Sequence, residues 1–152
     1  MSGAQVAAQN RSLAFMLGGE KADIDDAIPL LAMMGQHFHH MGGFGAGMQA
    51  KVLNNLLAAS HTAMTRLVLD WADAAGLETE KLLSLIATSS GQNWLASGFD
   101  QIEFVRDGYA PDNTIAILVK DIAAALDAAP KGADLTLPET VQTSIRKLKP
   151  RA

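Results

Sequence analysis

Two kinds of hydrophobic spacing divide the chain. The segment SLAFMLGG, Ser12 to Gly19, is a short unbroken apolar run closed by two glycines, which predicts a buried strand ending in a turn. EKADIDDAIPLLAMMG then places Ile24, Ile28 and Leu31 at helical spacing, and Pro29 within it predicts a break or kink. QHFHHMGG predicts a second strand. Residues 1–43 therefore read as a β-α-β piece too small to enclose its own sheet, so something else must cover it.

From Met48 to Ala75 the period changes to 3.6, and Val52, Leu53, Leu56, Leu57, Ala63, Met64, Leu67, Val68 and Trp71 gather on one broad face. Gly76 followed by Leu77 supplies a C-terminal stop. Such a helix is roughly 40 Å long at 1.5 Å per residue, a length suited to spanning domains or a dimer contact. Three further helices are predicted: ETEKLLSLIATSS, NWLASGFDQIEFV, and about Thr114 to Ala129, where Ile115, Leu118, Val119, Ile122 and Leu126 form a stripe behind a cap at Asp112 or Asn113. A last helix has Pro138 in its first turn and Val141, Ile145 and Leu148 on one side. The expected fold is mainly α, a helical domain over 44–152 built on one long helix and preceded by the 1–43 β-α-β remnant.

Composition narrows the function classes. The 152 residues are 49% hydrophobic and only 18% charged, enough for an ordinary buried core. There is no cysteine, so thiolate metal sites, disulfides and cysteine nucleophiles drop out. A net charge of −4, with basic residues scattered except for RKLKPR near the end, argues against a nucleic-acid partner. MSGAQVAAQNRS has no signal-peptide core and no uncharged apolar run reaches about 18 residues, so no membrane partner and a cytoplasmic location are expected.

Candidate chemistry concentrates in GGFGAGMQAKVLNN, Gly42 to Asn55. On a helix, Lys51 and Asn55 lie about 40° apart, Asn54 flanks them by about 60° on the other side, and Thr62 extends the strip two turns on. Such a strip can grip a small polar ligand or simply face water. The glycines do not form a P-loop, since Lys51 does not directly follow the last of them and no Ser or Thr follows the lysine. Gly43, Gly45 and Gly47 can instead serve close packing between the β-α-β piece and the long helix. A third candidate is HFHH, where His37 and His39 share one face of the predicted strand and need a third ligand to hold a metal. With no acidic residue between Asp26 and Asp70, His37, His39 and His40 read better as an exposed strand end, and no metal is expected.

GGFGAGMQAKVLNNLL resembles the G-x-G-x-x-x-K-x-x-N-N signature of the β-hydroxyacid dehydrogenases, the family of 3-hydroxyisobutyrate dehydrogenase. SSGQNW is similar to that family's S-S-G-x-x-W segment, and LVKDIAAALD to its L-x-x-K-D-L motif. Residues 1–43 resemble the tail of the family's nucleotide-binding domain, with Ser2 and Gly3 like the start of its S-G-G substrate loop. The resemblance implies a helical domain like the C-terminal domain of 6-phosphogluconate dehydrogenase. It implies Lys51 as general acid/base, Asn55 and Asn54 beside a small hydroxy-acid substrate, and Ser2 and Gly3 on its carboxylate. Lys120 and Asp121 are implied at an NAD or NADP cofactor.

The sequence departs from the family where its GxGxxG strand-turn-helix is expected ahead of Ser2, so a catalytic-domain portion inactive by itself is the expectation. Asn113 also stands where an aromatic residue is common in the family. A homodimer is the expected assembly, since the family builds its dimer from this region. The alternative function is a non-catalytic helical dimerisation or interaction module of the same descent. The residues that choose NAD or NADP, and one 3-hydroxy acid over another, are not among these motifs.

Overall fold

The computed structural model describes residues 1–151, the side chain of Ala4 excepted. The chain divides into two compact units, Met1–Asn54 and Asn55 onward.

In the first unit, helix α1 (Ala4–Gln9) precedes strand β1 (Leu13–Leu17), helix α2 (Lys21–Leu31) and strand β2 (Gly35–His40). The strands pair in parallel, with Phe15 opposite Phe38 and a register shift between Leu13 and Ala14. A parallel pair needs a crossover, and α2 supplies it. Leu13, Phe15 and Ile24 are buried, and the Phe15 and Phe38 rings stack with centroids 5.8 Å apart. The expected break at Pro29 does not occur: α2 runs through it to Leu31. A proline so near the end removes only the hydrogen bond that Asp25 would have accepted, and the exposed ring finds room. Helix α1 was not anticipated from sequence; Gly3 caps it with φ +130, and a Cβ there would lie 2.3 Å from the Ala7 Cβ.

Helix α3 (Ala46–Ala74) is 29 residues long and enters on the glycine run. Within the first unit its start lies directly on the end of β1: a Cβ on Gly47 would stand 2.6 Å from the Met16 carbonyl oxygen, and one on Gly18 2.7 Å from the Gly47 nitrogen. Close packing is therefore the role of Gly47, whereas Gly45 takes φ +88 in open space and Gly43 meets nothing. The His40 Nε2 lies 2.9 Å from the Gly19 oxygen and 3.1 Å from the Gly42 oxygen, linking the turn after β1 to the glycine run.

The second unit holds the rest of α3 together with α4 (Thr79–Ala87), α5 (Trp94–Ser97), α6 (Thr114–Asp127) and α7 (Thr136–Ile145). Gly76, at φ +73, ends α3, with the Leu77 N–H returning 2.9 Å to the Ala72 carbonyl. Asn113 caps α6 through Oδ1, which accepts from the Ala116 N–H at 3.2 Å. Ile115, Leu118, Val119 and Ile122 face a core shared with Ala59, Ala63, Phe104, Val141 and Ile145. A smaller cluster joins Leu69, Leu95, Phe99 and Val105. The helix expected over NWLASGFDQIEFV stops at Ser97 and continues as turns, because Gly98 ends it and Ile102 presses on that glycine.

The broad apolar face expected on α3 is split. Ala59, Thr62, Ala63, Thr65, Arg66, Leu69 and Ala72 are buried, while Leu57, Met64, Leu67 and Trp71 are 58, 61, 41 and 66% exposed. Small residues face the core because α3 must admit close neighbours.

Arg66, 1% exposed, is the charged member of that buried face. Its Nη1 donates to the carbonyls of Val105 (2.7 Å) and Asp107 (2.8 Å), and its Nη2 to that of Lys149 (2.5 Å). One side chain thus ties the turns after α5 and the C-terminal segment to α3. Burial pushes the guanidinium down from its usual pKa, and the Asp70 charge partly offsets this. Arg151 adds an outer tie, with Nη1 2.9 Å from Asp70 and Nη2 2.7 Å from Asp73.

Arg66→Met keeps the apolar stem but leaves three carbonyls without their donor, so it should cost about 3 kcal/mol or more, read from the urea midpoint. Gly47→Ala forces a methyl onto backbone and should cost about 1–3 kcal/mol. Gly43→Ala, with open space around it, should stay within about 0.5 kcal/mol of the parent in the same assay.

Candidate functional site

In the first unit, Ser2 is held to β1 by a two-way backbone bridge: its N–H donates to the Ala14 carbonyl at 2.7 Å and its carbonyl accepts from the Ala14 N–H at 3.0 Å. That bond consumes one of the amide donors expected at a carboxylate. The Ser2 hydroxyl and the Gly3 N–H are the groups this turn can still offer. Lys51, half-buried on α3, belongs to the same unit. The Met1 ammonium loses proton affinity, first through burial and then through the Lys51 charge. Lys51 and the Ser2–Gly3 turn, expected from sequence to act on one ligand, lie in the same compact unit. Asn54 is exposed on the same helix.

In the second unit, Asn55 is half-buried and its Nδ2 donates to Asp121 Oδ2 at 2.8 Å. Asp121 sits on α6 beside Lys120, whose side chain is exposed. Of the two residues expected at a cofactor, Lys120 thus presents an ammonium that fits an anionic or carboxamide group, whereas Asp121 is engaged with Asn55. Thr62 does not extend the polar strip: it is fully buried, and its hydroxyl donates to the Ala58 carbonyl at 3.0 Å.

SSGQNW folds as the turn before α5, with Asn93 Oδ1 accepting from both the Ala96 N–H (3.1 Å) and the Thr65 hydroxyl (3.2 Å). Trp94 packs against Phe104, ring centroids 6.3 Å apart. Sequence reasoning missed Asp121 as the partner of Asn55, since 66 residues separate them. It also missed Arg66, whose signal was available: a lone cation among Thr62, Ala63 and Leu69 at helical spacing. His37 and His39 are exposed on β2, and among the described residues no group of three His, Cys, Asp or Glu converges as a metal site. No described helix is long and apolar enough to cross a membrane.

Residues 45–150 match the family model described as the NAD-binding domain of NADP-dependent 3-hydroxyisobutyrate dehydrogenase, and residues 1–43 match that of the NAD-binding domain of 6-phosphogluconate dehydrogenase. The mitochondrial 3-hydroxyisobutyrate dehydrogenase of Rattus norvegicus is 30% identical over 135 residues, covering 85% of this chain and 40% of the relative. The NAD-dependent L-serine dehydrogenase of Pseudomonas aeruginosa is 30% identical over 154 residues, covering 97% and 52%. Among solved structures, the 3-hydroxyisobutyrate dehydrogenase of Mycobacterium tuberculosis with L-serine superposes at TM-score 0.74 with 26% identity, covering 97% of this chain and 56% of that one. That of Salmonella typhimurium shares the fold at TM-score 0.78 and 22% identity, covering 95% and 51%. The chain spans about half the length of the curated relatives it matches, 40% and 52% in the two cases above. The lysine-asparagine helix, the mainly helical fold and the match over 45–150 agree: the chain belongs to the β-hydroxyacid dehydrogenase family, whose models name NAD or NADP as the cofactor.

Proposed function

We propose that this chain supplies the substrate-side, catalytic-domain portion of an NAD(P)-dependent dehydrogenase of small 3-hydroxy acids. The observation that supports it most is that Lys51 and the Ser2–Gly3 turn belong to one compact unit, with α3 packed through Gly47 on the end of β1 and Ser2 bridged to the same strand. L-Serine, named with two relatives, is itself a small 3-hydroxy acid and sets the scale of the substrate.

The chemistry follows from the alcohol. Oxidation breaks a C–H bond and an O–H bond at one carbinol centre and forms a carbonyl. A nicotinamide, when bound, supplies the acceptor for the hydride. Lys51 takes the hydroxyl proton on Nζ when it enters the step as the free amine, and returns it in the reverse direction as the ammonium. Asn55, one helical turn along α3, orients the substrate without adding charge, and the exposed Asn54 flanks it. The Ser2 hydroxyl and the Gly3 N–H hold the carboxylate, fixing which end of the molecule reaches Lys51. Lys120 holds the cofactor through its exposed ammonium. The reading includes a homodimer built on this helical region and a cytoplasmic location.

A second reading, a non-catalytic interaction module, is favoured by Leu57, Met64, Leu67 and Trp71. At 100° per residue these four fall within about 80° of one another, a continuous exposed apolar stripe on α3. A second copy of the chain is the occupant that self-association would place there.

Binding separates the readings. L-Serine or 3-hydroxyisobutyrate should shift the backbone NMR signals of Ser2, Gly3 and Asn55, and Lys51→Ala should weaken that binding about tenfold. NADH or NADPH should quench tryptophan fluorescence saturably. A stable dimer that responds to neither class of ligand would leave the module reading standing alone. In either case Leu67→Glu should shift the solution mass toward monomer, because a charge in a desolvated apolar seam costs about 2 kcal/mol or more.

A further inference from the structure

After α7 ends at Ile145, residues 148–151 run as irregular backbone along the turn at 106–109. The Tyr109 N–H donates to the Leu148 carbonyl at 2.9 Å, and the Arg151 N–H donates to the Arg106 carbonyl at 2.8 Å. The two segments therefore lie antiparallel, with Pro150 flat against Gly108. A Cβ on that glycine would stand 2.7 Å from the Pro150 nitrogen and 2.6 Å from its Cδ. Proline has no N–H, so the strap gains no further bond at that position. From the α3 side, the Arg66 Nη2 donates to the Lys149 carbonyl.

What keeps this strap shut is concentrated in Arg151. Its largely covered guanidinium sets Nη1 2.9 Å from Asp70 Oδ1, and Nη2 2.7 Å from both Asp73 Oδ2 and Thr79 Oγ1. Asp70 and Asp73 stand in the last two turns of α3, which ends at Ala74 with no basic residue in its last turn. Carboxylates there oppose the helix dipole, and Arg151 supplies the missing cation. The rest of the strap is weakly held: Lys147, Lys149 and Pro150 are exposed, and Leu148 packs half-buried on the core. Segments with few buried contacts open locally, below the free energy of global unfolding. Arg66 permits this without dissolving its surroundings, because it keeps the Val105 and Asp107 carbonyls when it releases that of Lys149.

We propose that residues 148–151 are a latch that opens and closes as one unit against a fixed 104–109 turn, with the Arg151 guanidinium as its ionic lock. The lock responds to salt, because Asp70 and Asp73 are 58 and 52% exposed and mobile ions reach their carboxylates. The Arg66 bonds to backbone carbonyls are buried and hold the turn whether the latch is open or shut. Opening uncovers the Tyr109 N–H, the Arg106 carbonyl and the Arg66 Nη2 while the helical core stays intact. The latch lies wholly in the second unit and does not depend on Lys51 or on any ligand.

Native-state amide hydrogen exchange on the full chain, followed by NMR and corrected for intrinsic rates, tests it. In dilute buffer the Tyr109 and Arg151 amides should share one opening constant and exchange well before the Ile122 amide in α6. At about 1 M NaCl, where the screening length is about 3 Å, both should exchange about threefold to tenfold faster relative to Ile122. Arg151→Ala should speed both about tenfold and abolish the salt response, and Arg151→Lys, which keeps the charge but not the fork, should fall between. Gly108→Ala sets a methyl against Pro150 and touches no charge, so it should speed both amides and leave the salt response in place. Tyr109 and Arg151 amides that open at unrelated rates, or only together with Ile122, overturn the latch. An equal salt response in the parent and Arg151→Ala overturns Arg151 as its lock. The salt titration of the parent needs no substitution, so it decides the matter even where a variant fails to fold.

Discussion

Backbone must touch backbone where α3 begins, and only glycine permits it. A methyl at Gly47 would stand 2.6 Å from the Met16 oxygen, and one at Gly18 would stand 2.7 Å from the Gly47 nitrogen. Neither neighbour is a flexible side chain that could swing aside, so a methyl at either position would have to displace backbone. Its consequence reaches the chemistry through helix geometry. Once Gly47 is fixed against the end of β1, Lys51 lies one turn further along a rigid helix, in the unit where Ser2 is bridged to that same strand. A longer linker or a bulkier residue at either glycine would leave the lysine's place in the first unit undetermined.

The second unit relies on a different device. Its helices α6 and α7 bury an aliphatic core against Ala59 and Ala63, where small side chains allow close approach. The segments between α5 and α6, and after α7, are irregular and carry carbonyls that no helix satisfies. Arg66 satisfies three of them from a single buried position, and the Arg151 guanidinium, largely covered, closes the same region from outside on Asp70 and Asp73. Burying a guanidinium is costly, and the three charge-assisted bonds are what make it tolerable. α6 is thereby framed on a settled scaffold, and the Asp121 side chain it carries can hold Asn55 in one orientation.

Local rules made much of this legible in the sequence. The α6 stripe and its Asn113 cap, both strands, the crossover helix and the Gly76 stop all follow from spacing and backbone preferences that act within a few residues. That Lys51 and Asn55 stand one turn apart on α3 follows from the same helical spacing. Other features depend on tertiary partners that a one-dimensional pattern does not contain. The Asn55–Asp121 bond spans 66 residues, and the carbonyls that receive Arg66 lie 39 to 83 residues away. Pro29 and NWLASGFDQIEFV erred in opposite senses: a breaker was tolerated near a helix end, and good helix formers were overruled by Gly98 and the packing of Ile102 on it.

The split face of α3 shows what hydrophobic periodicity measures. Four of its large apolar positions, Leu57, Met64, Leu67 and Trp71, are exposed, while its buried positions include Ala59, Thr62, Thr65 and Arg66 beside Leu69. Within one chain this is the reverse of what burial should select. The two faces answer to different demands. The inward face needs small residues and one buried cation so that neighbouring segments can approach and have their carbonyls satisfied. The outward face carries large side chains whose hydrophobic gain comes only from being covered, and Trp71 and Met64 would each forfeit most of that gain in water. A periodicity read from sequence sums over every surface the helix buries, including any buried by association. On α3 it therefore reports the outer face together with the core.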